Sequence, residues 1–168
     1  MPTSPSNYKL GIVRLTAGWP EYIDGKTRHM GIDIVCGVGS MDRSVCVEDS
    51  EVIRVEEGTK TKSGLIELLG TSGHTVIYKH MGNFKIAVGD EIPEGAMLAT
   101  PNLTNTDSLH LHFEVWVNGK NVDPLEYLFG VQPDLKYEMS ARFGVDMFYK
   151  NNQPGMYNEL LRRGNKQA

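Results

Sequence analysis

The side chains able to do chemistry are concentrated in three short stretches. The first is SLHLHFEVW, from Ser108 to Trp116, which carries two of the five histidines two positions apart. In a β-strand, residues two apart share a face. Read as a strand, it sets His110, His112, Glu114 and Trp116 on one side and Leu111, Phe113, Val115 and Val117 on the other. An apolar face ready for a core then lies opposite two imidazoles and a carboxylate, a sorting that a helical period would not give. Taken alone, the pair also fits an ordinary surface strand.

The second stretch is RHMGIDI, from Arg28 to Ile34. Extended, it sorts the same way: His29, Gly31 and Asp33 share one face, and Met30, Ile32 and Ile34 the other. Gly31 reads as a gap that leaves room for a metal or substrate. One histidine and one carboxylate from this strand, with one histidine from the first stretch, make the three protein ligands of a catalytic zinc site with its fourth position open to water. The same donors suit Fe²⁺. The third stretch, HTVIYKH, aligns His74, Val76, Tyr78 and His80 on one face.

Short strands must position these groups. The 18 glycines punctuate alternating runs, the pattern of a mainly β domain. Strands are predicted at Lys9–Leu15, Gly31–Cys36, Ser44–Val47, Glu51–Glu56, Leu65–Leu69, His74–His80, Ala96–Ala99, His110–Val117 and Asn121–Val122. Thr71-Ser72-Gly73 and Asn118-Gly119 read as hairpin turns. Asp123-Pro124 suits a helix N-cap followed by Pro at the first helical position. After about Gly130 the character changes: residues 131–168 hold turn breakers, scattered aromatics and one helix, Met156–Arg163. They read as a C-terminal extension to a domain at 1–130, packing on it or contacting a particle or protein partner.

Composition narrows the function class. A chain of 168 residues, 40% hydrophobic and 23% charged, suits one globular domain with an appendage. A net charge of −4 gives no basic footprint for nucleic acid or anionic lipid. No apolar run reaches the length of a membrane span, and MPTSPSNYKLGIV lacks the basic and apolar regions of a secretory signal. Cys36 and Cys46 share no metal-ligand spacing and read as a pair or as two buried thiols.

Four ordered motifs make the reading specific. His29-Met30-Gly31-Ile32-Asp33, Tyr78-Lys79-His80, His110-Leu111-His112-Phe113-Glu114 and Val122-Asp123-Pro124 follow one another as in the lysostaphin-type (LytM-like) zinc endopeptidases of bacterial peptidoglycan, which the chain resembles from about Leu15 to Leu128. Val88-Gly89-Asp90 before Glu94-Gly95 is similar as well. The resemblance implies antiparallel sheets of the duplicated-hybrid, lysostaphin-type barrel, with a substrate groove and one zinc ion on its floor. It implies His29, Asp33 and His112 as the zinc ligands, and His80 and His110 as catalytic groups. The implied reaction is hydrolysis of a stem or cross-bridge peptide bond by a metal-activated water, one histidine taking a proton and the other steadying the oxyanion.

Tyr78, on the strand of His80, is expected to position it. Glu114 is expected either to orient His112 or to be a solvated carboxylate. Asn105 opens Asn105-Thr106-Asp107-Ser108-Leu109, which stands where the family has a small Gly-rich run framing the groove. His74 has no matching motif position. Without a leader, such an enzyme reaches the wall as a phage tail or lysis component, or as a fragment of a longer secreted or anchored protein.

Three rivals share parts of the pattern. A glucose-type phosphotransferase phosphocarrier has a similar His-x-Gly-Ile-Asp region but needs no His-x-His strand. A non-haem iron oxygenase spaces its His and Asp by one residue, where His29 and Asp33 are spaced by three. A catalytically inactive wall-binding scaffold is expected to have lost ligands, whereas all five positions are filled here.

Overall fold

The computed structural model describes residues 2, 5, 14–17, 19, 22–23, 27–35 and 44–129. In chain order the strands are β1 (Arg14–Ala17), β2 (Tyr22–Ile23), β3 (Thr27–Arg28), β4 (Ile32–Val35), β5 (Ser44–Val45), β6 (Ser50–Glu56), β7 (Leu65–Gly70), β8 (Thr75–Lys79), β9 (Met81–Gly82), β10 (Glu91–Ile92), β11 (Met97–Pro101), β12 (Leu111–Val117) and β13 (Lys120–Val122). Among the described residues one helix, α1 (Pro124–Phe129), follows. The main sheet runs β1-β4-β12-β8-β7-β6-β10, with β13 also paired to β12. Every pairing is antiparallel. A smaller sheet, β5-β11-β9, lies apart from it.

The turns behave as their residues dictate. Gly73 (φ 88°) closes the β7–β8 hairpin, and Asn118 and Gly119 (φ 50° and 75°) join β12 to β13 with the two successive positive φ values of a type I′ turn. The Asp123 carboxylate accepts from the Leu125 N–H at 2.8 Å and caps α1, whose first residue is Pro124. Of the strand predicted at Lys9–Leu15, residues 9–13 lie outside the described residues, and β1 takes up its end from Arg14. Residues 131–168, with the helix predicted at Met156–Arg163, lie outside them, as does Cys36. Cys46 is a buried free thiol whose S–H donates to the Glu48 carbonyl. No helix among the described residues is long and apolar enough to cross a membrane.

The core gathers the apolar sides of the central strands: Ile32 and Ile34, Val76 and Tyr78, Leu111, Phe113 and Val115, with Leu98, Leu125 and Leu128. Burying a side chain the size of Phe113 or Leu111 contributes about 1.5–3 kcal/mol. That burial fixes the register. Sliding β12 by one residue would put His112 into the core and Phe113 on the site face.

Tyr78 belongs to this core. It is fully buried opposite Phe113, and its hydroxyl donates to the Val45 carbonyl at 2.7 Å, tying β8 to the smaller sheet. It does not position His80. Burial also pushes its phenol pKa well up, so the hydroxyl stays a donor.

Candidate functional site

Register brings the separate motifs together. On β12, His112 lies opposite Asp33 of β4 on one side and Lys79 of β8 on the other. Just before β4, the segment carrying His29 is held by a short relay. The Asn121 amide donates to the Met30 carbonyl at 2.8 Å, and the Trp19 indole N–H donates to Asn121 at 2.6 Å. The Arg28 guanidinium sits 4.9 Å from the centre of the Trp19 ring.

Gly31 makes the approach of these strands possible. A Cβ there would run into the main-chain carbonyl of Phe113 and stand 3.0 Å from Glu114 Cγ. The glycine therefore serves close packing of the β4 entry against β12, and not the metal or substrate room that its spacing suggested.

Three donor atoms converge. His29 Nε2 lies 3.2 Å from Asp33 Oδ1 and 3.2 Å from His112 Nδ1, which is 2.9 Å from Asp33 Oδ1. Zinc bonds of about 2.0–2.1 Å at tetrahedral angles require donors about 3.3 Å apart, so the spacing suits one small cation. The chemistry of His112 points the same way. Its Nε2 lies 2.8 Å from Glu114 Oε2, and a carboxylate can only accept, so Nε2 carries the proton. In the neutral ring Nδ1 is then a lone pair facing the Asp33 carboxylate and His29, an arrangement that needs a proton or a metal ion between them.

The electrostatics reflect this crowding. Burial opposes the charge on Asp33, but hydrogen bonds from His112 and His29 outweigh it and hold the carboxyl far below its ordinary range. Burial likewise works against charge on His112, and its bonds to Asp33 and Glu114 win, raising its pKa. Glu114 is only 2% exposed, yet His112 and Lys79 bring its pKa down to about 2 against the cost of burial. The polar face of β12 is thus buried within its own network. Lys79 Nζ lies 2.9 Å from Glu114 Oε2, and the Trp116 indole N–H donates to Oε1 at 2.9 Å. Of the two readings of Glu114, the structure excludes the solvated one.

His80 and His110 face each other beside this cluster, their ring centres 4.7 Å apart, and the His80 ring lies 6.0 Å from that of His112. His110 Nε2 is 3.7 Å from Asp33 Oδ1. Both rings are tied at Nδ1 to a main-chain carbonyl: His80 to Thr104 at 2.7 Å and His110 to Ser108 at 2.9 Å. A carbonyl only accepts, so each neutral ring keeps its lone pair at Nε2. His80 reaches the site by leaving the strand. Strict alternation would send it into the core after Val76 and Tyr78, but its φ of 64° turns the side chain out.

Asn105 is exposed in the loop before His110, with its N–H on the Thr59 carbonyl, and is not among the groups that converge. His74 stays at the β7–β8 turn, 2.9 Å from Ser72 Oγ, with its ring tilted against that of Tyr127. Sequence reasoning missed Lys79, Ser63, Thr104 and Asn121. Only Trp116 had left a signal, its place on the face of Glu114.

The comparisons agree with this architecture. Residues 27–124 match the model of peptidase family M23, and the chain belongs to that family. Among curated relatives, the murein hydrolase activator NlpD of Salmonella dublin is 31% identical over 100 residues, covering 60% of this chain and 26% of the relative. The glycyl-glycine endopeptidase ALE-1 of Staphylococcus capitis is 25% identical over 154 residues, 89% of this chain and 39% of the relative. The chain thus spans about a quarter of the length of the Salmonella NlpD it matches. Among solved structures, lysostaphin from Staphylococcus simulans superposes with a TM-score of 0.61 at 20% identity, covering 76% of this chain and 54% of that one. A zinc-containing peptidase from Vibrio cholerae gives 0.57 at 22% identity, covering 72% and 39%. The fold is lysostaphin-like, mainly antiparallel β.

Proposed function

We propose that the chain is a zinc-dependent endopeptidase that hydrolyses a stem or cross-bridge peptide bond of bacterial peptidoglycan. The observation that carries this reading is the convergence of His29 Nε2, Asp33 Oδ1 and His112 Nδ1 within 3.2 Å of one another, with two further imidazoles alongside. These three residues would hold one zinc ion, which when bound supplies a water of lowered pKa and polarises a carbonyl. His80 and His110, each with a lone pair at Nε2, can take a proton from an attacking water and return it to the leaving amine. Glu114 orients His112 by accepting from Nε2, and Lys79 and Trp116 hold that carboxylate in place. The peptidase domain is 1–130, acting at the wall, with 131–168 as an extension available to a partner.

A second reading has its own support. The likeness to NlpD suggests a domain that stimulates a wall hydrolase and cuts nothing itself. The full set of five site residues favours the endopeptidase. Incubating the zinc-loaded protein with purified walls of different bridge chemistry, then identifying new amino termini by mass spectrometry, decides between them and names the bond. New termini at one bond type support the endopeptidase. Wall binding without new termini supports the activator.

A further inference from the structure

Resting on the assignment of His80 as a catalytic group, we infer that Thr104 is the positioning residue that locks His80 into its working tautomer and orientation. His80 stands in the left-handed region, which costs a non-glycine residue about 1–2 kcal/mol. Something in the surroundings must hold it there. Two chain segments, 63–64 and 102–104, do so. The Met81 N–H donates to the Gly64 carbonyl at 3.1 Å, and the Asn102 N–H donates to the His80 carbonyl at 2.8 Å. The His80 Nδ1–H donates to the Thr104 carbonyl at 2.7 Å, with Ser63 Oγ 3.2 Å away as a second acceptor.

Thr104 ties the two segments together. Its buried hydroxyl accepts from the Gly64 N–H at 2.9 Å and donates to Asn102 Oδ1 at 2.8 Å. One hydroxyl therefore uses both its capacities to fix the peptide whose carbonyl grips His80. The surroundings are closely packed. A Cβ on Gly58 would strike the Thr104 side chain, and one on Gly64 would strike the Met81 carbonyl. The consequence falls on His80 Nε2. With Nδ1 the donor, Nε2 keeps its lone pair, and the His110 ring lies 4.7 Å away centre to centre. Tyr78, the nearest sequence candidate for this task, points the other way.

The test compares Thr104→Val, which removes the hydroxyl at constant shape, with Thr104→Ser, which keeps it. Nitrogen-15 NMR of the imidazole rings in the zinc-loaded protein reads the His80 tautomer directly. Wild type and Thr104→Ser are expected to show protonated Nδ1 and bare Nε2. Thr104→Val is expected to show a tautomer mixture and a kcat on wall peptide lowered by about tenfold or more, a loss of the size that misplacing a catalytic group produces. KM and zinc affinity stay at wild-type values. An unchanged tautomer and kcat in Thr104→Val overturns the inference, and so does a Thr104→Ser variant as impaired as Thr104→Val. Absence of turnover in the wild type would count against the peptidase reading alone, since the NMR comparison still decides whether Thr104 sets the tautomer.

Discussion

The site holds two kinds of histidine, and the difference lies in what stands behind each ring. His112 is on a regular strand, and a carboxylate, Glu114, accepts its outer N–H. His80 and His110 lie off the strands, and neutral main-chain carbonyls accept theirs. A charged acceptor makes an imidazole a stronger donor to a cation and fixes its direction. A carbonyl fixes the tautomer without placing a counter-charge behind the ring. In the proposed endopeptidase, one part of the site would hold the metal and the other would exchange the proton.

The largest expected effect comes from breaking the holding part. His112→Ala or Asp33→Ala should abolish stoichiometric zinc and lower wall hydrolysis by about 10³-fold or more, since a metal site supplies several kcal/mol to the transition state. Metal analysis by mass spectrometry with an amine-release assay checks both. Gly31→Ala should follow, because the new Cβ pushes the β4 entry off the Phe113 carbonyl. Overpacking of this kind costs about 1–3 kcal/mol of stability, read as a lowered Tm, and zinc affinity should fall with it while the His80–His110 pair is spared.

Glu114→Gln is a finer cut. It keeps the shape but removes the charge behind His112, and should weaken zinc binding by about 10–100-fold in a chelator competition. The smallest effect concerns the exchanging part. Burial lowers the His80 pKa from its ordinary 6.5, outweighing the contribution of its bond to Thr104. Its neutral, proton-accepting form therefore persists to lower pH than in a free histidine. The acid limb of kcat/KM should lie below pH 6.5, and a bound cation nearby would push it the same way. An acid limb above that value would remove His80 as the base.

Much of the holding part was legible in the sequence. Alternation sorted Asp33 from Ile32, and His112 and Glu114 from Phe113, because β4 and β12 are extended strands with one face in the core, while His29 lies just before β4 and outside any strand. The turns at Gly73 and Asn118-Gly119 and the Asp123 cap followed from local chemistry. The exchanging part was not legible in the same way. A positive φ at a histidine comes from hydrogen bonds to Gly64 and Asn102, distant in sequence, so alternation placed His80 with Tyr78. Gly31 was misread because a missing Cβ looks alike whether a ligand or a neighbouring strand takes the space. Thr104 sits in a loop with no period to mark it.

The most direct test of the division between the two parts is an equilibrium zinc titration of His110→Ala beside His112→Ala, with wall hydrolysis measured on the same samples. The account predicts that His110→Ala binds one zinc as tightly as wild type yet releases no new amino termini, while His112→Ala does neither. If His110→Ala loses zinc as readily as His112→Ala, the two histidines of SLHLHFEVW share one role and the division is wrong.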